Sequence, residues 1–152
     1  MKISNYLKEE FVRLDVRADE KFTLLRNLSH MLSSDDRVVD PDQLALDIEE
    51  REKIEPTGIG EGVAIPHART NSVKDIIILM ARLTETVEYD SIDGKPVSIM
   101  FLIGTPKDAV QSYLKLLANL TKLVKEDSVR KQLAAAGTPS EVLDIVREHE
   151  QD

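Results

Sequence analysis

The 152-residue sequence has three histidines and no cysteine. Disulfides, thiolate chemistry and Cys-based zinc sites are therefore excluded, and nucleophilic chemistry near neutral pH falls to imidazole. His30 lies inside a helical pattern and His149 in the last turn of the chain, both ordinary surface positions. No two histidines are three to five residues apart, so no metal-binding pair is visible. His67 is set differently. It follows Pro66, whose ring fixes φ and stiffens the mount, and precedes the small Ala68. Upstream lies the glycine-bearing run Thr57-Gly58-Ile59-Gly60-Glu61-Gly62, where backbone N–H groups can come close to a ligand. Arg51 and Arg69 bracket the whole stretch and can meet an anion. A rigid imidazole, donors for oxygens and a cation are what a phosphoryl acceptor needs. A Pro-His pair at a strand end is also the ordinary make-up of an exposed turn, so residue types leave both readings open.

The elements that must position these residues follow from periodicity. Phe11–Leu14 alternates as a short strand, and helical spacing runs from Glu20 to about Ser33. Asp40-Pro41-Asp42-Gln43 starts a helix, with Asp40 as N-cap and Gln43 reaching back, which ends near Arg51. Glu52–Gly62 reads as a loop, and Val63-Ala64-Ile65 as a short strand stopped by Pro66. Ile76–Leu83 and Val97–Ile103 are near-continuous aliphatic runs expected to be strands buried on both faces. Leu114, Leu117, Leu120, Leu123 and Val124 form one face of a helix, with Tyr113 near its edge. Asp127 caps a helix ending at Ala136, and Thr138-Pro139-Ser140-Glu141 opens the last one. The glycine run follows a helix and precedes a strand, the reverse of a dinucleotide-binding fingerprint. Strands flanked by helices predict an α/β domain, three-layer α/β/α.

Composition bounds the rest. The formal charge of −8 makes nucleic acid and anionic membrane surfaces poor partners. With 41% apolar and 32% charged residues, the chain is expected to fold as one domain over residues 1–152. Its N-terminal residues carry no apolar signal segment and its apolar runs are short, so a cytoplasmic location is expected.

The run Arg51-Glu52-Lys53, followed by Thr57-Gly58-Ile59-Gly60-x-Gly62-Val63-Ala64-Ile65-Pro66-His67, closely resembles the active-site signature of the fructose/mannitol-type enzyme IIA domains of the bacterial phosphotransferase system. These include the free-standing nitrogen-regulatory enzyme IIA proteins. The resemblance extends to Ile3-Ser4-Asn5-Tyr6-Leu7, to Asp93-Gly94-Lys95-Pro96 with the strand after it, and to Leu114-Lys115-Leu116-Leu117. It implies a mixed, about five-stranded sheet flanked by helices. It implies that His67 accepts a phosphoryl group from an HPr-like phosphocarrier and that Arg51 holds the phosphoryl oxygens. It also implies that Thr57, Gly58 and Gly60 shape the pocket. Many family members place a second histidine where this chain has Tyr113, which keeps a hydroxyl but no cation. No metal or organic cofactor is implied. The acceptor would be a regulatory target of the nitrogen or potassium type, favoured because the sequence holds no fused enzyme IIB segment. The alternatives are an enzyme IIB in fructose/mannitol-type sugar uptake, and a degenerate module that binds partners without being phosphorylated. From net charge alone, a donor with a basic, apolar-centred face would suit this chain.

Overall fold

The computed structural model describes residues 2–150. Its sheet is built around β5 (Ile77–Val87) and β6 (Val97–Thr105), which pair antiparallel. Ile77–Ala81 and Ile99–Thr105 are buried on both faces, as unbroken aliphatic composition demands. β1 (Val12–Val16) runs parallel to β5 on one edge. On the other side of β6 lie β3 (Val63–Ala64) and then β2 (Gly58–Gly60), the latter antiparallel to β3. β4 (His67–Arg69) also pairs parallel with β6.

β3 and β4 are one strand interrupted. Val63 faces Ile99 and His67 faces Ile103, so the register is unchanged across Ile65-Pro66. Pro66 has no N–H to give the ladder, but its carbonyl accepts from the Ile103 amide at 2.9 Å. The mixed sheet therefore has six strands in five positions. The resemblance implied about five, and the break at Pro66 accounts for the sixth; Gly58–Gly60, read from the residues as loop, is a strand because it pairs with β3.

Helices cover both faces. α1 (Lys21–His30) packs on α2 (Pro41–Ile54), which lies against β4. α3 (Val110–Lys125), α4 (Asp127–Ala135) and α5 (Pro139–His149) follow β6. Glu20 caps α1 by accepting from the Phe22 and Thr23 amides, and Asp40 caps α2 through the Gln43 amide at 3.1 Å. Several local expectations are corrected. Gln43 does not reach back but donates to Asp47 at 2.9 Å. α1 stops at His30, and α2 continues a turn past Arg51 to Ile54. β1 starts one residue later than expected and ends at Val16, and β5 extends to Val87. Glu126, not Asp127, is the N-cap residue of α4, with no side-chain cap bond; Asp127 is its first helical residue and pairs with Arg130. α4 ends at Ala135, and α5 is capped as expected by Thr138 through the Glu141 amide.

The buried stripe of α3 is Leu116, Leu120, Leu123 and Val124, while Leu114 is 57% exposed. Leu120, Leu123 and Val124 are buried as expected, Leu117 only partly, and Leu116 takes the place of Leu114. The true phase puts Tyr113 in line with Leu116, Leu120 and Val124, at the top of the buried face.

Candidate functional site

His67 opens β4 and is only 8% exposed. Its Nδ1 lies 2.7 Å from the Ile65 carbonyl oxygen. A carbonyl can only accept, so Nδ1 carries the proton and donates. The proton is thereby removed from Nε2, whose lone pair is free to attack. Among the described residues Nε2 has no hydrogen-bond partner. Pro66 makes this possible: by fixing the backbone between Ile65 and His67 it folds the imidazole back onto the carbonyl two residues upstream. Burial pushes the His67 pKa below the usual histidine value, and the nearby Arg51 charge pushes the same way; the Ile65 bond and Glu52 oppose them.

A cavity of about 540 Å³ opens at this imidazole. Arg51 from the last turn of α2 and Tyr113 from the first turn of α3 line it. So do Arg69, Lys107, Asp47 and Glu50. The Arg51 guanidinium is anchored by Nη1 donating to the Glu55 carbonyl at 2.9 Å, which leaves its other donors for a ligand. Both Asp47 oxygens are occupied, by Gln43 and by the Thr70 hydroxyl. Three cations and two carboxylates line the cavity, a positive local balance in a chain of net charge −8 that suits a phosphoryl dianion. The neighbourhood of His67 is locally basic, which net charge does not reveal.

Tyr113 meets His67 ring to ring, with centroids 5.6 Å apart and planes tilted by 51°. Its hydroxyl has no hydrogen bond to His67. His30 is held by the Arg26 carbonyl and Asp42, and His149 by the Ile145 carbonyl. Among the described residues no cluster of acidic or histidine side chains could hold a metal. No helix among them is long and apolar enough to cross a membrane.

The structure does not bring Thr57, Gly58 and Gly60 to the cavity. The Thr57 amide and hydroxyl both donate to Glu52, the amide at 2.7 Å. Gly58 packs so closely that a Cβ there would stand 2.5 Å from Ser91 Oγ. Gly60 has φ +101° in the left-handed turn that joins β2 to β3, continued by Glu61 and Gly62. These residues dock the hairpin on the Ser91–Asp93 turn, where Asp93 accepts from the Glu61 amide at 2.8 Å. Shaping a loop and cradling a ligand both need glycine, so composition did not separate them.

Sequence reasoning also missed Glu52, which is 2% exposed. Its carboxylate meets Lys21 Nζ at 3.1 Å and accepts from the Tyr89 hydroxyl at 3.1 Å as well as from Thr57. This buried network ties α1 and the end of β5 to the last turn of α2, the turn that carries Arg51. One signal was present: position 52 continues the buried stripe Leu44, Ile48 at four-residue spacing.

A neutral His67 has a kinetic consequence. Phosphoryl acceptance is expected to reach half its plateau rate at a pH below the ordinary histidine value of about 6.5, because the folded ring resists protonation. The unfolded chain binds a proton there that folded His67 refuses, so this residue also removes stability as pH drops below about 6.5. A pH–rate profile already halved near pH 7 would contradict this.

The chain matches, over residues 5–149, the family described as "Phosphoenolpyruvate-dependent sugar phosphotransferase system, EIIA 2". It is 33% identical over 150 residues to the PTS system fructose-specific EIIABC component of Bacillus subtilis, covering 99% of this chain and 24% of that protein. It therefore spans about a quarter of that relative's length. It is 31% identical over 149 residues to the nitrogen regulatory protein homolog of Haemophilus influenzae, covering 95% of this chain and 90% of that one. The crystal structure of nitrogen regulatory protein IIA-Ntr from Neisseria meningitidis superimposes with a TM-score of 0.89 at 30% identity, covering 95% of this chain and 98% of that chain. The family match over residues 5–149, with relatives at 33% and 31% identity along nearly the whole chain, places the chain in the EIIA type-2 family of the phosphotransferase system.

Proposed function

We propose that His67 is the phosphoryl carrier of this domain, taking the group on Nε2 from an HPr-like phosphocarrier and passing it to an acceptor protein. We read residues 1–152 as one such domain. The observation that carries the proposal is the Nδ1–H bond to the Ile65 carbonyl, because it selects the nucleophilic nitrogen. The Nε2 lone pair attacks phosphorus in line, and the donor's P–N bond breaks with its electron pair returning to the donor imidazole. The proton stays on Nδ1, so phosphorylated His67 is an imidazolium whose charge is shared with the Ile65 carbonyl. That makes it a good leaving group for the next transfer. The exchange is between two histidines, so catalysis is mostly positioning and charge compensation. No metal or organic cofactor enters the scheme.

Arg51 supplies compensation from the α2 side. Arg51→Lys is expected to slow transfer about tenfold or more, since an ammonium cannot reproduce the planar fork and one charge-assisted bond is worth roughly 1.5–3 kcal/mol. Stability should change by less than about 1 kcal/mol, because the residue sits at an open helix end. Stopped-flow transfer from a phosphorylated carrier checks this, and wild-type rates would assign Arg51 a structural role only.

Similarity to the nitrogen-regulatory proteins along nearly their whole length supports a regulatory output, in which phosphorylation sets binding to a target protein of the nitrogen or potassium type. The Bacillus subtilis relative supports sugar uptake through an enzyme IIB as the second reading. Incubation with enzyme I, an HPr-type carrier and phosphoenolpyruvate, followed by intact-mass measurement, tests the carrier role: one added phosphoryl group supports it. No adduct with any carrier would favour the non-phosphorylated binding module. Loss of the adduct on adding a fructose-type enzyme IIB would favour sugar uptake over regulation.

A further inference from the structure

Arg69 is a second cation at this site. On β4, His67 and Arg69 are two residues apart and so project from the same face of the strand. Both positions are fixed by the parallel ladder to β6, where Arg69 faces Thr105. Both side chains meet one aromatic ring. The Arg69 guanidinium carbon lies 5.8 Å from the Tyr113 ring centroid, and the His67 ring lies 5.6 Å from it. The ring is itself held: Tyr113 stands in the first turn of α3, above the buried Leu116 and Leu120, with its amide bonded to the Ala109 carbonyl at 3.0 Å. Among the described residues Arg69 is in no ion pair, although Asp47 and Glu50 line the same cavity. An aromatic face attracts a guanidinium without taking up its N–H donors, which lie in the guanidinium plane. With this contact and no ion pair, the Arg69 charge is left for another anion.

We propose that Arg69 binds the phosphoryl group on His67 as a partner to Arg51, and that Tyr113 is the positioning residue that holds Arg69 through its ring face, not through its hydroxyl. This rests on His67 being the phosphoryl acceptor. Arg51 approaches from the end of α2 and Arg69 from β4, so the equatorial oxygens meet a guanidinium from each of two elements.

The test removes protein docking by using phosphoramidate as the donor. Nε2 attacks phosphorus, the P–N bond breaks, and ammonia leaves with the electron pair. His67 occupancy is followed by peptide mapping under non-acidic conditions on folded protein. Arg69→Gln should slow modification about tenfold or more, the worth of a charge-assisted bond, with Arg69→Lys between it and wild type. Tyr113→Leu should slow it about two- to fivefold, as a lost cation–π contact predicts, while Tyr113→Phe stays within about twofold of wild type. In the Arg69→Gln background, Tyr113→Leu should add nothing, because the ring acts through the arginine. Wild-type rates in Arg69→Gln would overturn the proposal. So would a Tyr113→Leu effect that persists without Arg69, or a Tyr113→Phe loss equal to that of Leu. If the wild-type chain is modified at His67 neither by phosphoramidate nor by an HPr-type relay, the carrier reading falls and this inference with it.

Discussion

His67→Gln is expected to take up no phosphoryl group from an HPr-type carrier, while folding as the wild type does. In the proposed mechanism attack depends on one nitrogen, Nε2, and glutamine offers an amide with no basic lone pair. The remaining histidines do not substitute. His30 has both ring nitrogens engaged, with the Arg26 carbonyl and Asp42, and neither it nor His149 lines the cationic cavity. The expected effect is total loss of the acid-labile adduct in intact-mass spectra. Label that persists in His67→Gln, or that maps to His30 or His149, would contradict the assignment.

Glu52→Ala is expected to give the largest stability loss of the substitutions considered, about 3–5 kcal/mol, the usual cost of breaking a buried ion pair from one side. The variant leaves the Lys21 ammonium, itself buried, with only Asp90 at 3.9 Å as a carboxylate neighbour. It also orphans the Thr57 amide and leaves the Tyr89 hydroxyl only the Thr57 hydroxyl at 3.4 Å; burial and Glu52 hold the Tyr89 pKa well above the usual tyrosine range. Urea unfolding measures this directly. A loss below about 1 kcal/mol would mean that water enters and replaces the carboxylate, and that the network is not what fixes the end of α2.

The mount of the proposed nucleophile was legible because its cause is local: Pro66 stiffens the backbone before His67, and Nδ1 lies on the carbonyl two residues upstream. The two central strands were legible because only burial on both faces calls for such unbroken aliphatic runs. The rest depended on contacts far apart in sequence. Thr57 reads as a pocket hydroxyl until Glu52 is seen to be buried beside it. Gly58 reads as a ligand cradle until Ser91, 33 positions away, is found where its Cβ would be. Tyr113 was singled out for its hydroxyl, whereas the contacts seen at His67 and Arg69 are made by its ring. Arg69 was noted as a bracket to the loop, and only the helix that follows β6 shows what holds it.

The most direct test of the central claim is nitrogen-resolved NMR of the chain labelled with ¹⁵N-histidine, before and after phosphorylation by an HPr-type relay. The structure predicts that unmodified His67 is a neutral ring protonated at Nδ1, and that phosphorylation produces phosphorus coupling at Nε2 of His67 alone. A ring protonated at Nε2 beforehand, phosphorus on Nδ1, or coupling at His30 or His149 would contradict it.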